Sequence, residues 1–243
     1  MYFVDTTKTW VKKHQTSVQE NESTKSLVSR LTLCEALNEE VFSEEQIKYL
    51  FGKCLFQATV TSLALKYHLS YMVDESQDDK IKRVDSIKVT FMNPFHHSEL
   101  DRWISQCYRN NDLKCIVQGI SKYSQLYILR DAIIEKVMSI YGQFFTFILS
   151  EEKHCCLVKC ENLQLGLTYF VGEWKIEGST CSDSMKHDFI FELLPNGTSL
   201  DVHFRNTLME LCKKDNWELY TLKKLWLKLG QMIVDDADKI SIM

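Results

Sequence analysis

Apolar and polar residues alternate through residues 55–73. Phe56, Ala58 and Val60 interleave with Gln57, Thr59 and Thr61, and Leu65, Tyr67, Leu69, Tyr71 and Val73 with Lys66, His68 and Ser70. A period of two over this length predicts one strand, or two joined by a bulge. The acidic run Asp74–Asp79 reads as a solvated loop, and Val84, Ile87, Val89 and Phe91 predict a further strand over 84–92.

Asn93-Pro94 ends that pattern, and Ser98 is the expected cap of the next helix. From Ser98 to Tyr141 the period is helical. Leu100, Trp103 and Ile104 form one short helix; Asp112 caps a second that carries Leu113, Ile116, Val117, Ile120, Tyr123 and Tyr127. Leu126, Leu129, Ile133, Val137 and Ile140 make a second stripe on it. Two stripes mean burial on two sides, between two layers or between two domains.

Alternation resumes with Phe145, Phe147 and Leu149, then Cys155–Cys160, then Leu163–Trp174 ending at Gly178. Phe189, Phe191 and Leu193 come after a loop. Pro195-Asn196-Gly197 predicts a hairpin turn into a strand with Leu200, Val202 and Phe204. The chain closes in helix, with Leu208 and Leu211, then Trp217 to about Val234. Upstream, Ser43-Glu44-Glu45-Gln46 has the form of a capping box and predicts a short helix through Gly52.

Strands that run together, followed by helices, predict an α+β fold with antiparallel sheets. The pattern occurs twice. It divides the chain into a flexible arm (1–25), docking helices (26–54), a first module (55–143), a second (144–235) and a tail (236–243).

Composition fits this picture. The 243 residues are 45% hydrophobic and 26% charged, with only 8 Gly and 2 Pro, which excludes collagen-like and low-complexity chains. A net charge of -4 disfavours direct nucleic-acid binding, which needs a basic surface. No apolar run reaches the ~20 residues of a membrane helix, and the first residues lack the form of a signal peptide, so no membrane role is expected. Nine cysteines, odd in number and irregularly spaced, suggest reduced thiols in a cytosolic or nuclear compartment.

The candidate chemistry is thin. His154, Cys156 and Cys160 share one face of a strand and Cys155 the other, with Cys181 and His187 the nearest further ligands. No C-x-x-C pair is present, so these cysteines read as small core residues rather than a zinc site. The side chains of His96 and His97 diverge, which suits a solvated loop or a helix start better than a metal site. No nucleophile elbow, phosphate loop or dinucleotide loop occurs. No catalytic residue, metal or cofactor is expected.

Leu27-Val28-Ser29-Arg30-Leu31-Thr32, the strand pair Phe56–Tyr71, Ser98-Glu99-Leu100 followed by Trp103, and Asp112-Leu113 at the head of a long aromatic-bearing helix carry a resemblance. Over residues 27–230 the chain resembles the tandem-RWD subunits of the inner kinetochore, relatives of the ubiquitin-conjugating fold. The family's N-terminal coiled coil has only some 25 mostly polar residues in its place.

The resemblance implies two RWD-like modules in a non-enzymatic nuclear scaffold at the centromere. Its expected partners are a second tandem-RWD subunit of the centromere protein O type and other inner-kinetochore proteins. The expected partner interface is Tyr123, Tyr127, Trp217, Leu222, Leu225, Trp226 and Leu229, which the two modules alternatively bury against each other. The competing function is an adaptor or enzyme of the ubiquitin system. There, Asn93-Pro94-Phe95 lacks the His-Pro-Asn order, and Cys107, the next thiol, falls on a core-facing helix position. Another double-RWD chromosome protein is the third reading.

Overall fold

The computed structural model describes residues 41–50, 53–74, 83–179, 184–194, 202–213 and 217–241. Eight strands and four helices run in the order β1 (Val41–Leu50), β2 (Lys53–Ser62), β3 (Leu65–Asp74), β4 (Arg83–Phe91), α1 (Pro94–Asn110), α2 (Leu113–Tyr141), β5 (Phe145–Ser150), β6 (Cys155–Asn162), β7 (Leu167–Gly178), β8 (Met185–Leu193), α3 (Val202–Lys213) and α4 (Leu219–Ser241). β1–β4 form one antiparallel meander and β5–β8 another, each four-stranded and in sequence order. The fold is α+β, and among the described residues four strands and then two helices occur twice.

The alternation over 55–73 resolves into two strands joined by a tight turn rather than a bulge. Ser62 pairs with Leu65, and Leu63 takes a positive φ of 48°. Asp112 caps α2 as expected, its carboxylate accepting from the Cys115 N–H at 2.9 Å. The first helix, however, starts four residues before Ser98. Asn93 caps it, accepting from the Phe95 N–H, and Pro94 occupies the first turn, where its missing N–H costs nothing. Ser98 donates back to the Phe95 carbonyl instead.

Three expectations are corrected. Ser43–Gln46 caps no helix, because Val41–Leu50 is a strand paired along β2. The box is a local signal, and the ladder offered by β2 outweighs it. Val202 and Phe204 lie on a helix, since Phe204, Thr207, Leu208 and Leu211 are buried at helical spacing; the turn at Pro195–Gly197 lies outside the described residues. Residues 236–241 are no tail, for α4 runs to Ser241. The expected arm at 1–25 and most of the docking segment also lie outside the described residues.

Each sheet has its own core, and α2 belongs to both. Ile116, Val117, Ile120 and Tyr123 sit in the first core with Phe56, Tyr67, Leu69 and Trp103. About three to four turns beyond Tyr123 on the same helix, Ile133 and Val137 sit in the second, with Trp174, Phe189 and Trp226. Of the second predicted stripe, Leu129, Ile133 and Val137 serve the second core, whereas Leu126 packs against the first and Ile140 is exposed, so the division runs along the helix rather than around it. The reverse crossing also occurs. Ile176 and Met185, at the far end of the β7–β8 hairpin, pack into the first core.

Candidate functional site

The residues expected at a partner interface fall inside the chain. Tyr123, Leu222, Trp226 and Leu229 are 0% exposed, and Leu225 and Trp217 reach only 8% and 9%. Tyr127 alone is half-buried. Trp217 and the α4 residues pack in the second core and Tyr123 in the first, so six of the seven are buried within the chain. The apolar supply of the sequence is consumed by two cores rather than one.

Between the two cores lies a polar centre that no motif in the sequence announces. Arg130, near the middle of α2, and Glu99, in α1, have side chains 1% exposed and meet at 2.6 Å. The pair is bidentate: Arg130 Nη1 donates to Glu99 Oε1 at 2.6 Å and Nη2 to Oε2 at 2.8 Å. Arg130 Nη1 also donates to the Trp174 carbonyl of β7, and the Ile176 N–H of β7 donates to Glu99 Oε1. Tyr123 donates to Glu99 Oε2 at 2.7 Å. The guanidinium lies 5.5 Å from the Phe95 ring centroid and 5.3 Å from that of Tyr127.

Helical spacing assembles this set. His96, Glu99 and Trp103 fall on one face of α1, and Tyr123, Tyr127 and Arg130 on one face of α2. Burial alone would lower the Arg130 pKa; the charge and hydrogen bonds of Glu99 outweigh it and hold the guanidinium above its ordinary range. Burial, reinforced by Glu99, pushes the Tyr123 hydroxyl well above its usual value. His96, whose Nδ1 lies 3.0 Å from the Tyr123 hydroxyl, is lowered to about 4 by burial and then by the Arg130 charge. His187 of β8 meets the Trp174 indole N–H and is lowered to about 3 by the same two causes. The result is a charged pair ringed by neutral imidazoles and phenols.

A shape lock sits beside the charge lock. The Trp103 indole lies where a Cβ on Gly119 of α2 or Gly178 of β7 would come within 2.2 and 2.3 Å of it. Both positions need glycine so that α1 can approach α2 and β7 closely. Together the ion pair and the indole fasten α1 and α2 to β7 of the second sheet.

The other candidate residues do not assemble into a site. His154 sits in the turn before β6 with φ 55° and is exposed, so it does not join Cys156 and Cys160. Cys155, Cys156 and Cys160 are fully buried, and burial raises their thiols, to about 11 for Cys155 and about 12 for Cys156. Among the described residues no three metal-type ligands converge, and the seven described cysteines are thiols. Cys181 lies outside the described residues. His96 is buried and His97 exposed, so the two do diverge. Cys107 is 1% exposed, its sulfur 3.7 Å from that of Cys115. No described helix is long and apolar enough to cross a membrane.

The open face of the first sheet carries a shallow polar basin of about 400 Å³, lined by Gln57, Thr59, His68, Ser70, Lys88 and Thr90. Thr59 Oγ1 and His68 Nδ1 lie 3.0 Å apart within it. It holds hydroxyls, an amide, an imidazole and an ammonium, a surface for hydrogen bonds rather than a built reaction centre. The sequence matches no family model and no curated protein.

Proposed function

We propose that the chain is a non-enzymatic structural subunit, a tandem-RWD scaffold of the centromere protein P kind that works in the nucleus at the kinetochore. One observation carries the reading: the order of four antiparallel strands and then two helices occurs twice, in sheets joined through a shared helix. The resemblance of residues 27–230 to tandem-RWD kinetochore subunits supplies the functional part. The chemistry agrees with it. Arg130, Tyr123, His96 and His187, whose ionisation their surroundings displace, are buried and hydrogen-bonded to Glu99, to one another or to the Trp174 carbonyl and indole, as suits a rigid body that presents surfaces.

In this reading the chain pairs with a second tandem-RWD subunit of the centromere protein O type. Contact is made by exposed surface, such as the open sheet faces, and not by the buried face of α4. Tagging the chain at its native locus tests the proposal. The expected outcome is centromeric foci and recovery in equal amount with a second tandem-RWD subunit. Diffuse signal, with recovery of no such subunit, would overturn it.

A further inference from the structure

The corner between α1 and α2 brings two cysteines together. Cys107 lies in the last turn of α1 and Cys115 in the first turn of α2, eight positions apart, and their sulfurs are 3.7 Å from each other. Both belong to the first core, Cys107 1% exposed and Cys115 7%. Their main chains are pinned to a common residue. The Asp112 N–H donates to the Cys107 carbonyl at 3.3 Å, and the Asp112 carboxylate accepts from the Cys115 N–H at 2.9 Å. Asn111 turns the chain between the helices at φ 51°, its N–H donating to the Cys107 and Tyr108 carbonyls.

A disulfide holds its sulfurs at ~2.05 Å. From 3.7 Å the two thiols need to close by less than ~2 Å, which side-chain rotation supplies while the main chain stays pinned. Other described thiols are placed differently. Cys156 and Cys160 lie along one strand, ~13 Å apart at strand rise, beyond the ~7 Å that a disulfide spans between Cα atoms. Cys212 is exposed on α3.

We infer that Cys107 and Cys115 are a redox-modification site, a reversible disulfide that clasps the end of α1 to the start of α2. The oxidant is a hydroperoxide, a reagent small enough to reach thiols this enclosed. Cys115 is the less enclosed of the two and reacts first. Its sulfur attacks a peroxide oxygen; the S–O bond forms, the O–O bond breaks, and the thiol proton leaves with the second oxygen, which for hydrogen peroxide is water. The Cys107 sulfur then attacks the sulfenic sulfur. The S–S bond forms, the S–O bond breaks, and the departing hydroxide takes the Cys107 proton as a second water. Each sulfur gives up one electron and the peroxide gains both. A reducing thiol reverses the change by exchange. Closed, the clasp fixes α1, which carries Glu99 and Trp103, against α2, which carries Arg130. The inference does not rest on the kinetochore reading.

Peptide mapping of the full chain tests it. The reduced, folded protein is treated with hydrogen peroxide, then unfolded, alkylated with N-ethylmaleimide and digested with trypsin in the absence of reductant. Cleavage after Arg102, Arg109, Lys114 and Lys122 places the two thiols on separate peptides, Trp103–Arg109 and Cys115–Lys122, each with a single cysteine. The expected result is these two peptides joined, lighter than their sum by two hydrogens, as the main oxidation product and released by dithiothreitol. Amide exchange through residues 105–117 should slow several-fold in the oxidised chain and recover on reduction. Recovery of both cysteines as alkylated thiols while Cys212 is oxidised, their pairing with other cysteines, their conversion to sulfinic or sulfonic acid, or a bond that leaves exchange at the corner unchanged, overturns the inference.

Discussion

The two sheets share an architecture and differ in what fills it. In the first core a Phe56–Tyr71 stack, Tyr67 and a set of β-branched and aliphatic residues pack under α1 and the front of α2. Its tyrosines carry hydroxyls, which draw in polar partners such as Glu99 and the Val89 main chain. The second core is built ring on ring. Trp226 of α4 stacks on Trp174 at 5.3 Å and meets Phe145, Phe147, Phe189 and Phe191 within 6.3 Å. One meander therefore tolerates two core chemistries, so long as the alternation and the volume are kept. Where the tyrosine-rich core meets the tryptophan-rich one, the contact is polar and directional, and that contact sets how the two sheets sit together.

The comparison breaks most sharply at Trp226. Trp226→Ala should cost about 3–5 kcal/mol, because the ring has five aromatic neighbours and a cavity would remain. Hydrogen exchange should show β5–β8 losing protection before β2–β4; equal loss in both sheets would mean that they do not differ in local stability. Arg130→Met should cost a similar ~3–5 kcal/mol by leaving Glu99 buried without its counter-charge. Its signature is different: protection should fall in α1 and β7 together. Urea melts of Arg130→Met within about 1 kcal/mol of wild type would remove the ion pair from its linking role.

Acid should act through the two imidazoles that flank the junction. Both are held neutral in the fold, His96 near 4 and His187 near 3, against an ordinary 6.5. The unfolded chain then binds more protons between about pH 6.5 and 3, so their contribution is complete above 6.5 and lost as pH falls through that window. Tm should drop by an amount equivalent to a few kcal/mol, and His187→Phe should flatten part of the slope. A Tm unchanged from about pH 7 to 4 would contradict the burial of both rings.

Smaller effects sharpen the picture. Gly178→Ala forces a methyl against Trp103 and should cost about 1–3 kcal/mol, with a red shift in tryptophan fluorescence as the indole is displaced. Asp112→Ala removes the cap of the shared helix and should cost about 1 kcal/mol, felt by the first sheet, whose core the α2 amino end enters. A thermal melt of each variant measures both.

Much of the fold is legible in the residues. The strands over 55–73, 84–92 and 155–160, the cap at Asp112 and the double stripe of α2 all express periodicity. Ser43–Gln46 and Val202–Phe204 mislead because four or five residues satisfy a local pattern in more than one conformation. The junction leaves a trace that periodicity does show. Arg130 interrupts the spacing Leu126, Arg130, Ile133, Val137, and Glu99 lies in helical phase with His96 and Trp103. A charge on an apolar stripe marks a buried pair, but not its partner, because the two residues lie 31 positions apart.

Sequence by itself determined the class: two runs of alternation, each followed by helical spacing, with apolar residues enough to cover both sheets. These properties are local, since the period of the backbone selects which side chains share a face. Only the tertiary structure decided what each face meets. It assigned the halves of α2 to different sheets, turned the aromatic face of α4 inward, and closed Glu99 on Arg130. Such pairings depend on distances between positions far apart in the chain, and the pattern of any one segment does not contain them.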